Sequence, residues 1–208
     1  MDILIRNMNF NLEYIKGLGK NRDNLIIKKK IEDLIKKNHN KYFNDYRILL
    51  NLQLKLNKKK ISRVYHPIRV SYYSTFFFKK DIKLILFSIM HNLLEHDKKT
   101  KSSTYINKKN LKRLHVLYID NEKKYNEKYL PDYYKKIYTS DLLTKKLKCL
   151  DKLDNLFNLY KNNDKNLKKK YLIEVKKYIL PLAKKLSKSL FFYLNLLYLH
   201  NIQLLNQN

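Results

Sequence analysis

The chain has almost none of the residues that turn a backbone sharply: two glycines and three prolines in 208 residues. A β-sandwich or barrel needs such residues at each hairpin, and a phosphate-cradling loop needs glycines in series, so the composition excludes both. Cys149 is the single cysteine, which removes any internal disulfide and any multi-thiolate zinc site and suits a reducing compartment. Tryptophan is absent. Acidic residues are scarce, with 18 Asp and Glu against 46 Lys and Arg, a formal net charge of +28 at pH 7. No carboxylate pair placed for acid–base chemistry stands out.

What remains is charge and apolar mass together. Apolar residues make up 44% of the chain and aromatics 13%, including 18 Tyr and 9 Phe, so the disorder that high net charge usually brings is not expected. Solubility asks for a net charge of only about 2–8 on a small domain. The surplus repels itself unless a polyanion neutralises it, and phosphate is the natural counterpart. Abundant Lys, Asn, Ile, Tyr and Leu match coding in a very AT-rich genome. The start, Met1 to Asn7, carries neither a secretory apolar core nor an Arg- and Ser-rich transit helix. The expectation is synthesis and function inside an organelle, in a mitochondrial matrix or a plastid. A cytosolic or nuclear protein of an AT-rich organism would share this composition.

Helical periodicity dominates the chain. Ile27, Ile31, Leu34 and Ile35 form an apolar stripe within 22–37, opposite lysines. From Ile48 the leucines alternate with polar residues, a strand period in residues that prefer helix. Residues 61–78 are the most β-like stretch, with Pro67 restricting them to an edge. Asp81 is a candidate cap for an almost wholly apolar helix to about His96, and a helix is expected from about Asn107 to Tyr118. Pro131 breaks the chain, and Ser140 and Asp141 then offer a cap for Leu143, Leu147, Leu150, Leu153, Phe157 and Tyr160 at helical spacing. A helical region from near Asn166 restarts at Pro181. Leu190 to Leu199 is apolar, but Asn195, His200, Asn201 and Gln203 interrupt what would have to be a span of about 20 residues. The expected fold is mainly α, with a short irregular or β-like segment around 48–78 and a long C-terminal helical region. Residues 1–130 read as a basic helical RNA-binding region and 131–208 as a C-terminal helical hairpin or bundle.

Catalytic and metal constellations are thin. His91, Glu95 and His96 lie close in sequence, but two histidines five positions apart diverge by roughly 140° around a helix. His39, His66, His115 and His200 look isolated. Ser102 and Ser103 lack the turn of a nucleophile elbow, and Cys149 sits in a leucine-rich helix as a small apolar residue. The sequence therefore predicts no enzyme activity, no cofactor, no bound metal and no small-molecule substrate.

The basic clusters carry more. Lys58, Lys59, Lys60, Arg63 and Arg69 accompany Tyr65 and His66; Lys98, Lys99 and Lys101 lie in a polar loop; Lys108, Lys109, Lys112 and Arg113 precede Tyr118; Lys168, Lys169 and Lys170 precede Tyr171. Ammonium and guanidinium groups hold phosphates while unpaired bases stack on tyrosine, although most tyrosines are expected to be structural. Clusters dispersed along the whole length suit a protein embedded in folded RNA.

The segment from Leu12 to Ile26, with Tyr14, Ile15, Gly17, Leu18, Gly19, Lys20 and Arg22, resembles the amino-terminal region of the small-subunit ribosomal protein thirteen family. It also looks like a helix-hairpin-helix turn, where glycines let backbone amides approach a phosphate. The resemblance covers about fifteen residues and implies RNA contact by Gly17, Gly19, Lys20 and Arg22, in a protein packed on ribosomal RNA. The family's later Arg- and Gly-rich segment and basic tail have no counterpart here. The function expected is that of a structural constituent of an organellar ribosome, with ribosomal RNA and neighbouring ribosomal proteins as partners. Two alternatives are an accessory subunit of an organellar membrane complex and a DNA- or RNA-binding factor outside the ribosome.

Overall fold

The computed structural model describes residues 21–57, 62–79, 81–96 and 106–207. The fold is mainly α, and no strand occurs among the described residues. In α1 (Asn21–His39), Ile27, Ile31 and Ile35 are buried at a four-residue spacing, the stripe legible in the sequence. A short turn, Asn40–Tyr42, leads to α2 (Phe43–Leu56). The alternating leucines thus belong to a helix. Tyr46, Leu49, Leu50 and Gln53 are its buried positions, a 3.6-residue period that the run of leucines masks by also filling exposed sites such as Leu54. Gln53 donates through Nε2 to the carbonyl of Ile89 at 2.7 Å, satisfying a group left open in the last turn of a neighbouring helix.

The β-like stretch is likewise helical: α3 spans Ser62–Phe77. β-branched residues and tyrosines forgo at most about 0.7 kcal/mol each in a helix, whereas burying one gains about 1.5–3 kcal/mol. Val64, Ile68, Val70 and Tyr73 are all buried. Pro67 lies inside α3, at its sixth residue, so the one backbone bond it forfeits falls near the helix start. α3 packs along α4 (Ile82–Met90), and the small buried Ser71 lets the backbones approach, its hydroxyl donating to the carbonyl of Ile85 at 3.2 Å. Asp81 does cap α4, accepting from the amides of Lys83 and Leu84 at 3.1 and 3.3 Å. The helix stops at Met90 instead of His96. The His91 ring occupies the carbonyl of Ser88 at 2.6 Å, and the chain turns at His91 and Asn92 before α5 (Leu93–His96).

α6 (Lys108–Leu117) is capped by Asn107, whose side chain accepts from Asn110 N at 2.8 Å. Pro131 opens α7 (Leu130–Thr139) near its first turn, where its missing N–H costs nothing. α8 (Leu142–Asn158) is capped by Asp141 and buries Leu147, Cys149, Leu150, Leu153 and Leu156 at the centre of the molecule. α9 (Lys165–Glu174) passes through a π turn, Val175–Ile179, into α10 (Leu180–Leu186). Pro181 explains the wider turn. With no amide to give at 181, the ladder shifts, and Leu180 N–H bonds the carbonyl of Val175 five residues back. Ser187 caps α11 (Lys188–Asn206), which buries Leu190, Leu194, Leu197 and Asn201. Asn201 donates to the carbonyl of Leu156 at 3.1 Å, tying this helix to α8. The apolar run at 190–199 therefore covers the chain's own core, leaving Phe192 and Leu199 exposed. No helix among the described residues is long and apolar enough to cross a membrane. One hydrophobic core runs from α1 to α11, through both regions expected from the sequence.

Candidate functional site

Helical register in α3 places His66, Arg69 and Tyr73 on one side, three or four residues apart. On α8 the same spacing aligns Lys148, Asp151 and Lys152, with Asp154 one turn beyond. The two helices pack together, and their polar positions meet. Asp154, 1% exposed, is the hub. Arg69 holds it with a two-pronged contact, Nε to Oδ1 at 2.7 Å and Nη2 to Oδ2 at 2.8 Å, while His66 Nδ1 lies 2.6 Å from Oδ2. Burial alone would raise the Asp154 pKa, but His66 and Arg69 together hold it down at about 2. Arg69 also donates to Asn24 of α1 at 3.3 Å. Its guanidinium is thus committed to the interior, and the expectation that Arg69 contacts RNA is corrected.

His66, which looked isolated in sequence, meets His91. Their Nε2 atoms are 3.1 Å apart and the rings cross at 65°. Asp151 Oδ1 lies 3.2 Å from His66 Nε2 and 3.9 Å from His91 Nε2. Burial disfavours charge on His66, but the hydrogen bonds and charges of Asp151 and Asp154 outweigh it and raise its pKa to about 9. For His91, burial and then the charge on His66 act together and lower it to about 4. Ligand atoms of His66, His91 and Asp151 all fall within 4.8 Å of one another, the one such group of three among the described residues. The pair searched in sequence, His91 with His96, is not the pair that forms.

The network continues through Lys148, whose Nζ is 3.5 Å from Asp151 Oδ2 and lies over the Tyr133 ring. Lys152 Nζ sits 2.8 Å from Glu174 Oε1 and over the Tyr171 ring at 4.4 Å. Tyr134 donates to the same Glu174 oxygen. Burial opposes ionisation of Glu174, but Lys152 and Lys148 outweigh it and keep the carboxyl below its ordinary range. A cavity of about 340 Å³ opens beside these groups, with His66, Glu95, Asn92, Asp151 and Tyr171 in its wall. Tyr125, also in the wall, has φ of 67°, a left-handed conformation that costs a non-glycine residue on the order of 1 kcal/mol or more.

Outside this interior the basic clusters separate into three groups. Gly17, Gly19, Lys20, Lys58, Lys59, Lys60, Lys98, Lys99 and Lys101 lie outside the described residues, as do the side chains of Arg22 and Arg63. Lys108, Lys109 and Lys112 are exposed on the face of α6 opposite buried Leu114 and Leu117, and Lys169 and Lys170 are exposed on α9 with Lys168 half-buried. Arg113 is held within the chain, its Nε donating to Asp141 Oδ2 at 2.6 Å and Nη1 to Asn110 at 2.7 Å. Tyr171, which follows the lysine cluster at 168–170, is buried, whereas Tyr160 is 49% exposed.

Asp141 combines this ion pair with the cap of α8, accepting from Thr144 N at 2.9 Å. Partial burial works against its charge, but the Thr144 and Arg113 hydrogen bonds lower its pKa below the usual carboxylate range. A carboxyl lowered on folding stabilises the protein above its unfolded pKa of about 3.9 and loses that contribution as pH falls through the folded value. Asp141→Ala should cost about 1 kcal/mol in urea denaturation at pH 7, the scale of a lost cap with the exposed ion pair adding little, and the gap to wild type should narrow below about pH 4.

Among known proteins, no family model matches the chain, and no curated protein is significantly similar to it.

Proposed function

We propose that the chain is a structural RNA-binding constituent of an organellar ribosome, mitochondrial in the first instance, and does no chemistry of its own. The observation that carries this reading is where the few carboxylates go. Arg69, Lys148 and Lys152 are matched inside the molecule by Asp151, Asp154 and Glu174, three formal charges against three. With histidines counted neutral, the interior network thus cancels, and the surplus of +28, counted the same way, belongs to the rest of the chain. Exposed lysines project from helices at opposite ends of the sequence: Lys29, Lys30, Lys36 and Lys37 on α1, Lys108, Lys109 and Lys112 on α6, Lys169 and Lys170 on α9. Dispersal of this kind favours a protein wrapped by folded RNA over one with a single groove. The exposed Phe76, Ile173, Phe192 and Leu199 supply apolar contacts for neighbouring proteins.

An accessory subunit of a membrane complex draws less support, because α11 turns its leucines onto α8 and no described helix has the length and apolarity of a span. A DNA-binding factor would share the electrostatics. Sedimentation of organelle lysate separates the readings. The protein should migrate with ribosomal particles at moderate salt and leave that fraction after ribonuclease treatment. Migration with membranes regardless of ribonuclease, or release by deoxyribonuclease alone, would overturn the assignment.

A further inference from the structure

We propose that His66, His91 and Asp151 form a binding site for a divalent transition-metal ion of the zinc class, with its remaining coordination open to the adjoining cavity. The inference stands apart from the RNA-binding reading.

The three donors come from three separate elements: His66 from α3, His91 from the turn after α4 and Asp151 from α8. Their mutual separations are 3.1 Å, 3.2 Å and 3.9 Å. A tetrahedral ion with ligands at about 2.0–2.2 Å has edges of about 3.3–3.6 Å between ligand atoms, so the group is already close to its bound dimensions. The outer nitrogens are tied down in the manner that metal-ligating histidines require. His91 Nδ1 sits 2.6 Å from the carbonyl of Ser88, which only accepts, so Nδ1 carries the proton and Nε2 presents its lone pair. His66 Nδ1 sits 2.6 Å from Asp154, itself fixed by Arg69. Both Nε2 atoms therefore face one point. Two imidazole lone pairs 3.1 Å apart repel unless a cation lies between them, and a proton or a metal ion serves that need. Asn155 and Lys148 anchor the Asp151 carboxylate, at 2.8 Å on Oδ1 and 3.5 Å on Oδ2, and leave the ring-facing Oδ1 a further lone pair.

Two imidazole nitrogens and one carboxylate oxygen select against Mg²⁺ and Ca²⁺, which take all-oxygen shells, and against Cu⁺, which takes sulfur. Zn²⁺, Co²⁺ and Fe²⁺ fit. The cavity of about 340 Å³ reaches both His66 and Asp151, giving an entry path and room for water to complete the shell. Bound there, the ion cross-links α3, the end of α4 and α8, a structural role.

The test uses the purified full chain, treated with chelator and titrated with Co²⁺. One equivalent should bind with visible d–d absorption, Zn²⁺ should displace it, and Zn²⁺ should raise the melting temperature in a chelator-reversible way. Mg²⁺ should do neither. His91→Ala and His66→Ala should each weaken Co²⁺ binding at least about 100-fold, while His115→Ala, exposed on α6, should leave it unchanged. Because an interior variant can fail to fold, X-ray absorption of the Zn²⁺-loaded wild type provides a second readout, with two imidazoles and oxygen donors at about 2.0–2.1 Å expected. Absence of stoichiometric Co²⁺ binding by the wild type, equal binding by folded His91→Ala, or a spectrum without imidazole scattering would each overturn the site.

Discussion

Replacing Asp154 with alanine is expected to destabilise the protein by about 3–5 kcal/mol, because it strands the Arg69 guanidinium and the His66 ring in the interior without a counter-charge. At roughly 2–4 °C per kcal/mol for a chain of this length, the melting temperature should fall by about 6–20 °C. The arrangement sharpens the prediction. Asp154 is 1% exposed and receives both prongs of Arg69, so solvent cannot take over its role. Removing both partners together, as Arg69→Met with Asp154→Leu, should cost less than Asp154→Ala alone, since no guanidinium is then left unpaired and His66 keeps Asp151, at 3.2 Å, as its counter-charge. Urea denaturation of the wild type, the single variant and the double variant measures this. A single variant within about 1 kcal/mol of wild type would mean that the ion pair does not hold α3 to α8.

The helical class and the caps at Asp81 and Asp141 were legible because they depend on neighbours in sequence. Asp81 and Asp141 each accept from amides two or three residues ahead, and the stripe of Ile27, Ile31 and Ile35 needs only one helix to be seen. The misread segment, 61–78, failed because local preference and tertiary burial disagree there. Valines and tyrosines favour strands when taken singly, and the facing surfaces of α1, α4 and α8 make a helix the better arrangement. That error hid the interior site as well. Read as a strand, residue 66 points away from 69 and 73; read as a helix all three align. A signal was available on α8, where Lys148, Asp151 and Asp154 recur at three-residue spacing within a leucine-rich helix that could have remained apolar. The partnership of His66 with His91 crosses 25 residues and two helices, so no spacing rule finds it.

The second large effect concerns the surface. Lys108, Lys109 and Lys112 occupy one exposed side of α6, enter no ion pair with a described residue, and lie away from the core. Changing all three to glutamine should leave stability within about 0.5 kcal/mol while weakening binding to a structured ribosomal RNA fragment. With about 0.7–0.9 counterions released per phosphate contact, three contacts account for roughly 50- to 170-fold at about 0.15 M salt relative to 1 M, and their loss should flatten the salt dependence by about two to three units of slope. An unchanged slope would remove α6 from the RNA-facing surface.

The account rests on phosphate matching the surplus positive charge, and the salt dependence of the unaltered full chain measures that most directly. Plotted as log K against log salt on ribosomal RNA, binding through about 6–10 phosphate contacts predicts a slope of about −4 to −9. A slope near zero, or binding to RNA no tighter than to a neutral polymer, would contradict it.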